Sequence, residues 1–219
     1  MMDSLGVASD RVIMTGDDAI EMAYEARPSG WGNAIGVSLR IAGYTEVGQS
    51  YIERVRSPLQ RAGRQHKSLL IGLPTSSNVK EADLEIIRQI LKGYDKVSIN
   101  WRRFDSPMNL IQQVGRCRLV VTGTYHPAVF ALAQGIPAIG LVKSITYINK
   151  FSALQDEFGP ALQIIWLDDE LLPEKLITAI DIAWESAEAV RPTLLQAAIR
   201  QIEWGKAGYR RLYELVTNT

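Results

Sequence analysis

A chain of 219 residues, 47% hydrophobic and 22% charged, can bury a full core as one domain or two, and its make-up is that of an ordinary globular protein rather than a disordered or fibrous one. Lysine plus arginine balances aspartate plus glutamate at 24 each, which argues against nucleic-acid or membrane-surface binding through bulk charge and leaves any anion site to local clustering. One cysteine, Cys117, excludes an internal disulfide, and the absence of a basic-then-apolar leader and of a long apolar run points to a cytoplasmic chain with no membrane span.

In chain order, "RVIMTGDDAIEMA" starts as a short apolar strand and ends in an acidic turn holding Asp17 and Asp18. "YEARPSGWGNA", broken by Pro28, Gly30 and Gly32, reads as a linker, so residues 1–32 form a lead-in and 33–219 the main domain. A regular alternation then begins. "AIGVSLR" is a buried strand ending at Arg40, followed by the amphipathic "VGQSYIERVRSPLQRAG", which Pro58 is expected to kink or end early. "KSLLIGLP" is the second strand. The helix "SNVKEADLEIIRQILKGY" follows, with Ser77 or Asn78 as cap and Leu84, Ile87, Ile90 and Leu91 on its apolar face. "KVSIN" is the third strand, and "SPMNLIQQVGRC" a helix with Ser106 at the N-cap and Pro107 at its first position. "RLVVTG" is the fourth strand and Tyr125 to Gln134 its helix; "PAIGLV" is the fifth, with a helix from about Ser144 to Phe158; "LQIIWL" is the sixth. Two amphipathic helices close the chain, with the break near Arg191-Pro192.

Strands alternating with helices predict an α/β fold: a doubly wound, parallel, six-stranded Rossmann-like sheet with right-handed crossovers and strand order 3-2-1-4-5-6. Ligands in such sheets bind beyond the carboxyl ends of the strands where the winding reverses. That order brings Ser38 and Arg40 beside Thr122, Thr124 and His126 in one crevice. Gly123 permits the turn, Thr124 or Thr122 can cap the next helix, and Pro127 suits its first turn. His126 then sits among unpaired amide N–H groups at the positive end of a helix dipole, a place suited to phosphate or carboxylate, where a neutral ring can act as base or hydrogen-bond donor. Local capping or packing is the plainer role for that side chain. Lys143, near the carboxyl end of strand five, and Lys150 read equally well as solvated lysines, and Tyr147, on the same helix face as Lys150, as a core residue. Together Arg40, His126, Lys143 and Lys150 would make a locally positive crevice for a small anionic substrate.

The other candidates are weaker. Cys117 reads as a small buried residue rather than a thiolate activated by Arg116 and Arg118, and His66 as a surface residue. Two distant histidines and one cysteine supply no metal-ligand spacing, and the phosphate-loop, GxGxxG and GxSxG patterns are missing. Asp17-Asp18 reads as a structural turn with a catalytic alternative.

"TGDDA" and "GVSLR", then "VVTGTYHPAVFALAQGIPAIGL" and "YINKFSAL", resemble the polysaccharide pyruvyl transferase family from about Val12 to the C-terminus. That family is marked by an S/T-x-R-x-H turn, a G-x-P strand lead-in and a Y-x-x-K helix, and it is similar in architecture to GT-B glycosyltransferases. The resemblance implies one half of a GT-B fold, mainly the C-terminal domain, with the "TGDDA" piece leading out of an N-terminal domain that is otherwise missing. It implies transfer of a pyruvyl group from phosphoenolpyruvate to a sugar of a cell-surface polysaccharide, as a ketal, with no cofactor and no metal. Carried over by position, Arg40 would hold phosphate or carboxylate and His126 would be the acid/base or phosphate contact. Tyr147 and Lys150 match the Y-x-x-K pair, and Asp17 falls on the acceptor side. Ser38, Thr122, Thr124 and Lys143 complete the expected substrate contacts. Where the family carries arginine this chain has Thr124, which removes a bidentate anion clamp that Lys143 would have to replace. The implied partners are a small anionic donor, a sugar acceptor, and an N-terminal domain or a second copy to complete the cleft. A GT-B half binding a nucleotide sugar, and a degenerate binding or scaffolding domain, are the alternative readings.

Overall fold

Strands that alternate with helices and are apolar on both faces have to be covered on both sides. The computed structural model, which describes residues 12–41, 47–75, 83–99 and 106–217 and the single positions 6 and 45, shows that arrangement. Strands Ala34–Ser38 (β1), Leu69–Gly72 (β2), Val97–Ser98 (β3), Cys117–Thr122 (β4), Ala138–Val142 (β5) and Leu162–Trp166 (β6) form one parallel sheet in the order β3-β2-β1-β4-β5-β6. β1 and β5 are buried along their whole length. The helices are Ala19–Glu25 (α1), Ser50–Gln65 (α2), Asp83–Leu91 (α3), Pro107–Val114 (α4), Tyr125–Ala133 (α5), Ile145–Phe158 (α6) and Leu172–Thr217 (α7).

Two apolar clusters sandwich the sheet. One unites Ile20 and Ala23 of α1 with Ile111 of α4, Phe130 of α5, Phe151 of α6 and Leu194 of α7. The other gathers Leu59 of α2, Ile87 of α3, and Leu176 and Ile180 of α7 over Ile35, Leu119 and Ile139. Gly140 in β5 admits the Phe151 ring, which a Cβ there would strike, and so seats α6 against the sheet.

Several local expectations are corrected. Val12 to Met14 form no strand, and the acidic turn opens into α1, whose Ile20 and Ala23 are buried. α2 runs through Pro58 without ending, and α7 is one helix of 46 residues that passes through Pro192 where two helices were expected. An interior proline costs a helix about 3 kcal/mol. In α7 buried Leu176 and Ile180 lie before it and Leu194 after it; at about 1.5–3 kcal/mol each, their burial outweighs that cost. Arg191, next to the proline, donates to the Pro28 carbonyl at 2.8 Å and lies 4.9 Å over the Trp31 ring, which pins the stretch read as a linker. β3 is shorter than expected, and Asn100 and the proposed caps Ser77 and Asn78 lie outside the described residues. His66 is no free surface residue: its Nε2 is 2.6 Å from Asp181 Oδ1 and its ring stacks on Trp184 at 4.6 Å. Cys117 is buried, and burial pushes its thiol up to about 12 against the opposing pull of Arg116. No helix among the described residues is long and apolar enough to cross a membrane.

Candidate functional site

The neighbouring β1 and β4 set Ser38 directly opposite Thr122, and the Gly123 amide donates to the Ser38 carbonyl at 2.8 Å. The two polar turns therefore meet at the carboxyl edge. There the hydroxyls of Ser38 and Thr124 lie 2.7 Å apart, and Thr122 Oγ1 donates to the Thr124 carbonyl at 2.8 Å while accepting from the Thr124 amide at 2.9 Å. All three residues are buried. Their hydroxyls satisfy one another, so Ser38, Thr122 and Thr124 lock the turn rather than line an open pocket. Thr124 holds the N-cap position of α5 in extended backbone, but its side chain makes no capping hydrogen bond because the hydroxyl is spent in this knot. The position at which the resemblance expects arginine is thus a closed structural contact.

The locked turn aims the start of α5 outwards. His126 is exposed on its first turn; its ring meets Tyr125 at 5.7 Å and Phe130 at 5.9 Å, and its nitrogens make no hydrogen bond among the described residues. α6 begins nearby, capped by Ser144, whose hydroxyl accepts from the Tyr147 amide at 3.4 Å. Tyr147 is buried, so its ring belongs to the core, whereas Lys150 on the same face is exposed. The Lys150 ammonium lies 5.9 Å from the Tyr125 ring centre and 5.6 Å from that of Tyr147, and it has no ion pair among the described residues. Asp17 completes the group. Its carboxylate accepts from the Ala19 amide at 2.9 Å, and its charge acts on the Tyr125 phenol. Burial first, and then Asp17, push that phenol up to about 12, so Tyr125 stays a protonated donor at neutral pH. Asp17, His126 and Lys150 thus each neighbour Tyr125, and this patch at the starts of α5 and α6 is the candidate mouth. Tyr125 was legible only as the unspecified position before the motif histidine; its place at the first position of α5 is what turns it to the rim.

Arg40 and Lys143 do not join that mouth as free cations. Beyond the end of β1, Arg40 donates through Nε and Nη2 to Asp83 at 2.7 and 2.9 Å, and through Nη2 to Thr75 at 2.6 Å. Its fork closes on a carboxylate that is itself buried. Just past β5, Lys143 Nζ donates to Tyr51 at 2.5 Å and to Asp168 at 2.9 Å. The bonds to Tyr51 and Asp168 raise the lysine, and those from Tyr51 and Lys143 hold the Asp168 carboxyl below its ordinary value. The expected pool of four positive groups is therefore divided: Arg40 is neutralised by α3, Lys143 by the end of β6, and His126 and Lys150 remain open. No group of three or more His, Cys, Asp or Glu side chains among the described residues is placed to hold a metal.

Comparison with known proteins agrees with this architecture. The chain resembles a protein from Listeria monocytogenes assigned as a UDP-N-acetylglucosamine 2-epimerase, at 15% identity and a TM-score of 0.62 over 96% of this chain and 57% of that one. It also resembles the UDP-GlcNAc 2-epimerase of Methanocaldococcus jannaschii (14%, TM-score 0.57, 84% and 51%) and a calicheamicin glycosyltransferase (17%, TM-score 0.51, 86% and 43%). At these identities the likeness is one of fold, that of GT-B-like proteins, and the chain spans about half the length of each. No curated protein matches it. The family model described as polysaccharide pyruvyl transferase matches residues 1–143 and so takes in the lead-in, β1 and the Thr122 to His126 turn, but stops short of Tyr147 and Lys150. With well over half its length so matched, this chain belongs to the polysaccharide pyruvyl transferase family.

Proposed function

We propose that the mouth at the starts of α5 and α6 binds phosphoenolpyruvate and that the chain serves transfer of its pyruvyl group to a sugar of a cell-surface polysaccharide. One observation carries this reading beyond family membership: the exposed His126, whose nitrogens make no hydrogen bond among the described residues, stands on the first turn of α5 next to Tyr125, and Lys150, without an ion pair among the described residues, approaches the same Tyr125 ring. The two first-turn amides of α5, those of Tyr125 and His126, and the Lys150 charge suit a phosphate. His126 would protonate the methylene carbon of phosphoenolpyruvate, which leaves an oxocarbenium-like centre at the next carbon. A first sugar hydroxyl adds there and gives its proton to a base; a second displaces phosphate and closes the ketal. Tyr125, kept protonated, can donate to the carboxylate, and Asp17 can accept a hydroxyl proton. Arg40, held by Asp83, supports the rim by joining β1 to α3.

Titration calorimetry tests the reading. Phosphoenolpyruvate is expected to bind the wild-type chain at millimolar concentration, and the heat is expected to disappear in His126→Ala and to weaken in Lys150→Ala. No heat from phosphoenolpyruvate overturns the proposal, and heat from a UDP-sugar in its place moves the site to nucleotide-sugar chemistry.

A further inference from the structure

α7 outruns the body it packs on. Its 46 residues extend about 70 Å, its last buried residue is Gly205, and residues 209–217 are all exposed. The lead-in marks where the cover ends. It crosses the helix at Gly205 and Gly208, where a Cβ would lie 3.3 Å from the Thr15 carbonyl oxygen and 2.6 Å from Thr15 Cγ2 respectively. Beyond that crossing Tyr209, Leu212, Tyr213 and Val216 follow at i, i+3, i+4 and i+7, the spacing of one helix face. Each is between 57% and 71% exposed. Ile13 of the lead-in, also exposed, lies against Gly208, one turn before Leu212, and widens the patch. The Tyr209 ring is fixed in place, because its hydroxyl donates to Asp18 Oδ2 at 2.7 Å.

A short helical stretch on its own is marginal in water, and most protein helices are held by covering an apolar face. A contiguous apolar face left open is the signature of an association surface. This one fits a second copy of itself. Run antiparallel, which keeps the two bodies apart, Tyr209 meets the partner's Val216 and Leu212 meets the partner's Tyr213, so that a larger side chain opposes a smaller one along the seam. The neighbouring charges are answered within each copy: Lys206 pairs with Glu21 at 2.6 Å and Arg211 with Glu214 at 3.3 Å. The chain as a whole has a formal net charge of +0, so two copies approach without bulk repulsion. Four side chains of this size, each more than half exposed, offer about 500 Å² per copy and about 1,000 Å² for the pair, the level at which a specific interface begins.

We propose that the end of α7 is a self-association surface, through which two copies of the chain pair by Tyr209, Leu212, Tyr213 and Val216. The inference stands apart from the pyruvyl-transfer reading, since none of these residues belongs to the mouth.

Sedimentation equilibrium of the full chain from about 1 to 200 µM tests it. The mass is expected to rise from that of one chain to that of two, with a dissociation constant on the order of micromolar, as suits so small an interface. Leu212→Asp, at an exposed site outside the core, is expected to keep the fold and to weaken pairing at least about tenfold, because it sets a charge in the seam of each copy. Leu171→Asp, at a comparably exposed leucine just before the other end of α7, is expected to pair like wild type. The proposal is overturned if the mass stays at one chain throughout, which assigns the face to a different occupant. It is overturned equally if Leu212→Asp pairs as well as wild type, or if Leu171→Asp disrupts pairing as fully as Leu212→Asp. Phosphoenolpyruvate heat measured on Leu212→Asp is expected to match wild type, so failure of the donor reading and failure of the pairing show in separate measurements.

Discussion

Replacing Asp83 by asparagine removes one charge and reverses one hydrogen-bonding group where neither can be absorbed. The Asp83 side chain is 0% exposed, and its carboxylate accepts from Arg40 Nε at 2.7 Å, Arg40 Nη2 at 2.9 Å, the Thr75 amide at 3.0 Å and the Thr75 hydroxyl at 2.7 Å. The least damaging asparagine rotamer keeps its oxygen in the Oδ2 place, where three of those bonds end, and turns its NH₂ towards Arg40 Nε, donor against donor. Loss of a charge-assisted bond accounts for about 1.5–3 kcal/mol, and loss of the carboxylate charge facing a guanidinium only 13% exposed brings the total to about 3–5 kcal/mol. That is a large part of an ordinary domain's stability of about 5–15 kcal/mol. In urea unfolding the midpoint is expected to fall by about 1–5 M at unchanged slope, given slopes of about 1–3 kcal/mol per molar. The double variant Arg40→Met/Asp83→Leu, which deletes both charges, is expected to regain at least half the loss. A single variant that costs less than about 1 kcal/mol, or a double variant no better than the single, refutes the view that this pair is a buried, mutually dependent unit.

Two further outcomes follow from the packing and from the titrating groups. Pro192 is exposed inside α7, so Pro192→Ala loses little contact and restores an amide donor to the helix; stability should rise by about 1–3 kcal/mol, seen as a higher Tm, and a lower Tm contradicts the account of a helix held through its proline by packing. Cys117 is pushed from its ordinary 9.0, and Tyr125 from 10.0, up to about 12, chiefly by burial. Each group therefore holds its proton longer in the folded chain than in the unfolded one. The stability this represents is complete below pH 9 and is lost as the pH rises from 9 towards 12. Unfolding measured across that range should show the decline, Cys117→Ala and Tyr125→Phe should each flatten it, and rapid thiol labelling of the folded chain at pH 8 would contradict it.

How far the site was legible follows from how far apart its parts lie in the chain. The short-range patterns carried the architecture: apolar runs of strand length alternating with helical periods specify a parallel sheet, and the doubly wound order followed from general rules of handedness. Ser38 facing Thr122 came from that order alone, His126 at the head of a helix came from the turn before it, and the cap Ser106 was visible one residue before its helix, whereas Ser144, read as the helix start, is its cap. What the side chains then do was settled by partners no local pattern reveals. Asp83 takes Arg40 from 43 residues away, Asp168 takes Lys143 from 25, and Asp181 takes His66 from 115. Proline at 58 and 192 spoke locally for breaks, and the burial of both flanks overruled it. The linear order of residues thus determines which elements form and which ends of the sheet they share, because those depend on periodicity and backbone chirality. Only the folded chain decides which charges remain free, because a charge is cancelled by whatever carboxylate lies within a few ångströms, and that neighbour is chosen by packing.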